Sequence, residues 1–151
     1  MKNWLHYLLF PASILYRFII LLRNFCYDKN WIKAKKLPCF VISVGNLSLG
    51  GTGKTPTVLY LCRILQENKK KDIAILSRGY KRNTNGTVLV SNGNGPLKDW
   101  KAVGDESFMM AQKTKNIPIV VDSNRYRGGK FLIKNFNSKI IILDDGFQHR
   151  A

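Results

Sequence analysis

The residues with the plainest chemistry are Ser48-Leu49-Gly50-Gly51-Thr52-Gly53-Lys54-Thr55. Glycines at this density let backbone N–H groups turn inward around phosphate oxygens, and a helix beginning at the lysine adds its positive N-terminal dipole. The lysine can reach the β- and γ-phosphates of a nucleotide such as ATP, and the Thr55 hydroxyl can ligate Mg²⁺. Every residue of the run is thus a candidate nucleotide contact, with Lys54 also a candidate catalytic cation and Thr55 a candidate metal ligand. The general pattern opens with Gly, and Ser48 departs from it. An ordinary glycine-rich turn before a helix is the alternative. The position of Gly53-Lys54-Thr55 at a strand-to-helix junction favours the phosphate loop.

Two acidic motifs stand downstream. Asp144-Asp145 follows the apolar run Lys139-Ile140-Ile141-Ile142-Leu143, where a phosphate-loop protein places an acid that positions Mg²⁺ or its waters. A solvated Asp-Asp-Gly turn is the plainer reading. Gln148 and His149 lie just beyond, and His149 is either a phosphate or acceptor contact or a surface histidine. Gly104-Asp105-Glu106 precedes a helical stretch. Its acids either cap that helix or, in the case of Asp105, accept a proton from an acceptor hydroxyl. Arg78, Arg125 and Arg127 lie after strands or near helix starts, where guanidinium groups can grip phosphates bidentately or serve structure alone.

These motifs need a frame that brings them together. Phe40 to Val44, Asp72 to Ser77, Thr87 to Val90, Ile117 to Asp122 and Lys139 to Leu143 read as strands, with Pro118 near a strand start. Val58 to Leu65, Phe108 to Lys115 and part of Asn124 to Phe136 read as helices, the last broken by Gly128-Gly129. Nearly continuous apolar strands alternating with helices predict an α/β fold. It resembles phosphate-loop NTPases, with a mostly parallel sheet covered on both faces. Ligands in such sheets bind at the carboxyl ends of the strands, where the motifs fall.

Ahead of that core, Trp4 to Phe25 is apolar, and Arg17 is the only charge between Asn3 and Leu22. At about 100° per residue, Asn3, His6, Ser13, Arg17 and Asn24 share one narrow stripe. Such a helix suits the membrane interface, with Trp4, Tyr7 and Tyr16 at the headgroups and Lys29, Lys33, Lys35 and Lys36 on anionic lipid. A core helix and a spanning helix are the alternatives; Pro11 and Arg17 speak against spanning. A signal peptide lacks its cleavage site. The chain therefore divides into 1–36, a membrane-associated helix and basic linker, and 37–151, the phosphate-loop core.

Composition adds bounds. The chain has 151 residues and a net charge of +16, from 25 basic and 9 acidic residues. That length builds one cored domain but is short for a complete kinase with donor and acceptor sites. The charge favours anionic partners, or reflects a Lys-, Asn- and Ile-rich composition. Cys26, Cys39 and Cys62 are widely spaced in apolar settings, as free thiols of a reducing compartment are. No stacking-aromatic motif or basic repeat points to nucleic acid.

Taken in order, the sequence has Val44-Gly45-Asn46-Leu47, Gly50-Gly51-Thr52-Gly53-Lys54-Thr55-Pro56, Ser77-Arg78-Gly79-Tyr80, Gly104-Asp105-Glu106 and Asp144-Asp145-Gly146-Phe147-Gln148-His149. This series resembles the tetraacyldisaccharide 4′-kinase family, the lipid A 4′-kinases of Gram-negative bacteria. The resemblance covers essentially the whole chain. In that family the position of Ser48 is usually Ser or Thr, while Ser107 departs from its usual Pro. The resemblance implies ATP- and Mg²⁺-dependent phosphorylation of the 4′-hydroxyl of tetraacyldisaccharide 1-phosphate, a lipid A precursor. The implied location is the cytoplasmic face of the inner membrane, in peripheral or monotopic contact with its lipid. It also implies roles: Lys54 and Thr55 on phosphates and metal, Asp105 as catalytic base, Asp144 and Asp145 at the metal. Arg78, Glu106, Arg125, Gln148 and His149 become substrate or phosphate contacts. The family's chain is longer, and its second domain supplies a histidine partner for the catalytic aspartate. The expectation is an N-terminal portion without that C-terminal domain. The alternative is a membrane-attached nucleotide-binding module with no catalysis of its own.

Overall fold

The computed structural model describes residues 4–29, 31, 35–45 and 53–145. The expectations placed on Asn3, Lys33, Asn46, Leu47, Ser48, Leu49, Gly50, Gly51, Thr52, Gly146, Phe147, Gln148 and His149 lie outside the described residues. Two compact units form, residues 1–35 and residues 36–151.

The first unit holds α1, Trp4–Asp28, with Pro11 inside it. The Ser13 hydroxyl donates to the Phe10 carbonyl at 2.7 Å. Within this helix Phe10, Leu15, Tyr16 and Phe18 are each more than 60% exposed. Among the described residues no helix is long and apolar enough to cross a membrane. Ser13, Arg17, Arg23 and Asn24 are the polar members that lower the hydropathy of α1.

The second unit runs β1 (Phe40–Val44), α2 (Lys54–Glu67), β2 (Ile73–Ser77), β3 (Val88–Ser91), α3 (Trp100–Val103), α4 (Asp105–Lys113), β4 (Ile119–Val121), α5 (Arg125–Phe136) and β5 (Ile140–Asp144). The sheet order is β1-β5-β2-β4-β3. β1 and β2 both pair parallel with β5, and β4 pairs parallel with β2. The chain leaves β1, crosses by α2 into β2, and leaves the slot between them for β5. Alternation along each strand feeds two cores. Ile73, Ile75 and Ile142 meet Val58 and Cys62 of α2 and Met110 of α4. Ala74, Leu76 and Ile141 meet Leu132 of α5 on the other face. The sheet is thus mostly parallel and covered on both faces. All three cysteines are free, and burial pushes the Cys62 thiol up to about 12.

Three local expectations change. β3 runs antiparallel to β4, with an irregularity between Leu89 and Ser91; it is the edge strand, and α3 and α4 separate it from β4 along the chain. The helix expected from Phe108 begins at Asp105, and a short α3 precedes it, capped by Asp99, whose Oδ1 accepts from the Ala102 amide at 2.8 Å. Gly128-Gly129 does not break α5. A Cβ on Gly128 would sit 2.7 Å from Leu76 Cδ1 and 3.0 Å from Asp122 Cβ, and one on Gly129 would overlap Leu37. The pair lets α5 press onto β2, and that packing outweighs glycine's poor helix propensity.

Candidate functional site

The parallel strands end together at one edge of the sheet. Val44 at the end of β1 is in register with Asp144 at the end of β5. α2 opens at this edge, with Gly53 as its N-cap at φ 77°, a left-handed backbone that suits glycine. Pro56 sits in the first turn, where its missing N–H has no intrahelical partner to lose. Lys54 Nζ lies 2.7 Å from Asp145 Oδ1. The bond raises the lysine above its ordinary range and holds the Asp145 carboxyl below its own. An ammonium carries three donors, so two remain for a ligand. Thr55 follows, 8% exposed.

Asp144 is 1% exposed. Its Oδ2 accepts from the Ser77 hydroxyl at 3.0 Å. Its Oδ1 is buried and has no partner among the described residues. Burial pushes this carboxyl up, against the pull of Ser77 and Lys54. A buried carboxylate oxygen left unmatched is costly, so a cation or a cation-bound water is a natural complement. Among the described residues no three of His, Cys, Asp and Glu gather as a metal cage. One buried acid beside a threonine hydroxyl and bound phosphate is instead the donor set of Mg²⁺ in phosphate-loop proteins. The residues present fit that ion.

The second acidic motif reaches the same edge through backbone packing. Gly104 has φ 89°, and a Cβ there would stand 2.7 Å from the Tyr80 carbonyl oxygen. Gly104-Asp105-Glu106 therefore rests directly on Ser77-Arg78-Gly79-Tyr80. Asp105 and Glu106 form the exposed first turn of α4. Asp105 is not the cap, since Gly104 holds that position; its Oδ1 accepts from the Glu106 amide at 3.0 Å. Partial burial, then Asp144 and Asp105, push the Glu106 carboxyl up, while Lys54 pulls it down. These four groups thus share one electrostatic neighbourhood.

The arginines separate into different roles. Arg78 is exposed and its charge is felt by Arg125 and Asp145. Arg125 is 4% exposed. Its Nη1 donates to the Asp122 carbonyl at 2.6 Å, and its Nη2 to the carbonyls of Asp144 and Asp145 at 3.5 and 3.4 Å. This guanidinium ties the end of β4 to the turn that carries both aspartates. Arg127, read from sequence as a phosphate grip, is committed to Asp122. Its Nε and Nη2 both donate to that fully buried carboxylate at 2.8 Å. The Thr87 hydroxyl and the Asn124 amide donate to Asp122 as well.

Sequence reasoning passed over Ser77 and Asp122 as site residues. Ser77 had a signal, a polar residue ending an otherwise apolar strand beside a candidate acid. Volume points elsewhere: an open cavity of about 580 Å³ lies at the opposite end of the sheet, lined by Gln66, Lys69, Lys70, Lys71, Asp72, Ile73 and Asn116. None of the chemistry-bearing residues touches it, and the chemistry is the better guide.

Comparison with known proteins agrees with this geometry. The sequence profile of the tetraacyldisaccharide-1-P 4′-kinase family matches residues 5–151. The tetraacyldisaccharide 4′-kinase of Aquifex aeolicus is 48% identical over 142 residues, covering 94% of this chain and 44% of that protein. That of Flavobacterium psychrophilum is 46% identical over 149 residues, covering 98% and 42%. The chain thus spans less than half the length of the curated relatives it matches. The crystal structure of LpxK from Aquifex aeolicus in complex with ATP superposes with a TM-score of 0.86 at 46% identity, over 97% of this chain and 45% of that one. By motif order, fold and identity, this chain belongs to the tetraacyldisaccharide-1-P 4′-kinase family.

Proposed function

We propose that this chain carries the nucleotide site and the catalytic carboxylate of an ATP-dependent lipid A 4′-kinase. The observation that supports it most is the joining of three separate motifs at one strand edge. Lys54 meets Asp145 at 2.7 Å, with Asp144 buried beside them and Glu106 within their field. The reading is further supported by a relative of closely similar fold in complex with ATP.

In this reading the run 48–53 and the α2 N-terminus cradle the phosphates, and the remaining donors of Lys54 reach oxygens of the β- and γ-phosphates. Thr55 and Asp144 would hold Mg²⁺, with Asp145 fixing the lysine. The ion, when bound, neutralises charge on the transferring phosphoryl group. Asp105, exposed at the α4 N-terminus, accepts the proton of the 4′-hydroxyl of tetraacyldisaccharide 1-phosphate. The oxygen–phosphorus bond to the sugar forms, the bond to the β-phosphate oxygen breaks, and ADP leaves. Arg78, Glu106, Arg125, Gln148 and His149 complete the contacts to phosphate and sugar, Arg125 acting through the turn it anchors. A second domain, present in the relatives' additional length, would close the cleft.

The exposed apolar side chains of α1 support attachment in the plane of a bilayer, at the cytoplasmic face of the inner membrane where an acylated substrate resides. The division into 1–36 and 37–151 follows from the same reading. The net charge of +16 suits anionic lipid and phosphorylated substrate.

The test is transfer of labelled γ-phosphate from ATP to tetraacyldisaccharide 1-phosphate, with nucleotide binding measured in parallel. A catalytic base contributes about 10²–10⁴-fold to rate. In a chain joined to a relative's second domain, Asp105→Ala should lower turnover by that order while ATP affinity stays within about twofold. Binding without transfer is the expected result for the unaltered chain by itself; the same result in a chain joined to the second domain would support the membrane-attached binding module instead. Absence of nucleotide binding would refute both.

A further inference from the structure

One buried contact has no part in that mechanism, the hydroxyl of Ser77 on Asp144. Ser77 closes β2, the strand that flanks β5 on the side away from β1. It is 4% exposed. Its Oγ donates to Asp144 Oδ2 at 3.0 Å, while Oδ1 of the same carboxylate is buried without a partner among the described residues. The two oxygens are therefore unequal. One is fixed by a neutral donor from the next strand, and the other is left for a cation. The geometry points to Ser77 as a positioning residue that sets the rotation of the Asp144 carboxylate, and so the strength with which this site takes Mg²⁺.

The inference rests on the reading of this edge as a Mg²⁺–nucleotide site. Its physical basis is general. Carboxylates near a metal are themselves held by hydrogen bonds, and loss of such a partner lowers metal affinity or activity by about 10–100-fold. A carboxylate without its holding donor turns freely about its Cβ–Cγ bond and takes a proton more readily. The alternative role for Ser77 is packing alone. A packing loss loosens the site for every ligand, whereas a positioning loss is confined to metal-dependent binding.

Equilibrium binding of a fluorescent ATP analogue separates the two, measured in EDTA and across a Mg²⁺ titration. Ser77→Ala should bind the analogue in EDTA within about twofold of the unaltered chain, while its Mg²⁺ half-point rises about tenfold or more. Ser77→Thr keeps the hydroxyl and should restore the half-point. An unchanged half-point in Ser77→Ala overturns the inference, and so does an equal loss with and without Mg²⁺. Should Ser77→Ala lose its cooperative melt, Ser77→Cys takes its place, close in size and a weaker donor. A half-point raised in Ser77→Cys supports the inference and an unchanged one overturns it. If the unaltered chain binds the analogue identically with and without Mg²⁺, the metal-site reading itself fails and takes this inference with it. A Mg²⁺-dependent unaltered chain with an unaffected Ser77→Ala sinks the inference alone.

Discussion

The two ends of the sheet differ in what they do with charge. At the carboxyl ends of the strands, Asp122, Arg125 and Asp144 are all buried, at 0%, 4% and 1% exposure. They are joined by hydrogen bonds from Ser77 of β2, Thr87 just before β3 and Arg125 of α5. At the amino ends the charges stay in water. Lys69, Lys70 and Lys71 are exposed around an open cavity, and the Lys139–Asp72 pair spans 3.2 Å with Lys139 72% exposed. Burying ions is unfavourable unless each one is matched. A fold that does so repeatedly at one edge, and not at the other, has arranged that edge for something other than stability. An open cavity of about 580 Å³ lies at the end without that arrangement, so concavity alone is a poor guide here.

Substitutions at the two ends should therefore diverge. Arg127→Ala leaves the fully buried Asp122 carboxylate without its bidentate partner. We expect a measurable loss in urea denaturation, smaller than that of a fully buried pair because Arg127 is itself 54% exposed. Gly104→Ala comes next, since it forces a side chain onto φ 89° and against the Tyr80 carbonyl. A loss of about 1–3 kcal/mol is expected. A melt indistinguishable from the unaltered chain would mean that the two loops are not joined as described. At the opposite end, Lys139→Ala should change stability by less than about 0.5 kcal/mol, as exposed pairs do. A larger loss there would erase the contrast between the ends.

What was legible in the sequence was local. The run 48–55, the acids after Ile142-Leu143, and the alternation of apolar strands with helices each lie within a few residues. They gave the fold class and the edge on which the site sits. Helix α2 and strand β5 stand where their apolar patterns put them. Contacts between distant residues were not legible. Ser77 meets Asp144 across 67 residues, and Lys54 meets Asp145 across 91. No local pattern encodes either pairing, and the order of motifs implied Asp145 at the metal rather than on Lys54. Gly128-Gly129 misled because propensity is a weak prior against packing on Leu76 and Leu37. The direction of β3 escaped because an edge strand's partner is decided by the path of the loop before it. Arg127 could not be told from Arg125 by position alone, since both stand in the first turn of α5.

The central claim is that the carboxyl-end edge, not the lysine-lined cavity, receives the nucleotide. Equilibrium ATP binding tests it in Lys54→Ala and in a chain carrying Lys69→Ala, Lys70→Ala and Lys71→Ala together. Charge-assisted bonds to phosphate contribute about 1.5–3 kcal/mol each, which is roughly 10–100-fold in affinity. Lys54→Ala should lose affinity by that factor while the triple variant stays within about twofold. Retained affinity in Lys54→Ala with loss in the triple variant would contradict the account.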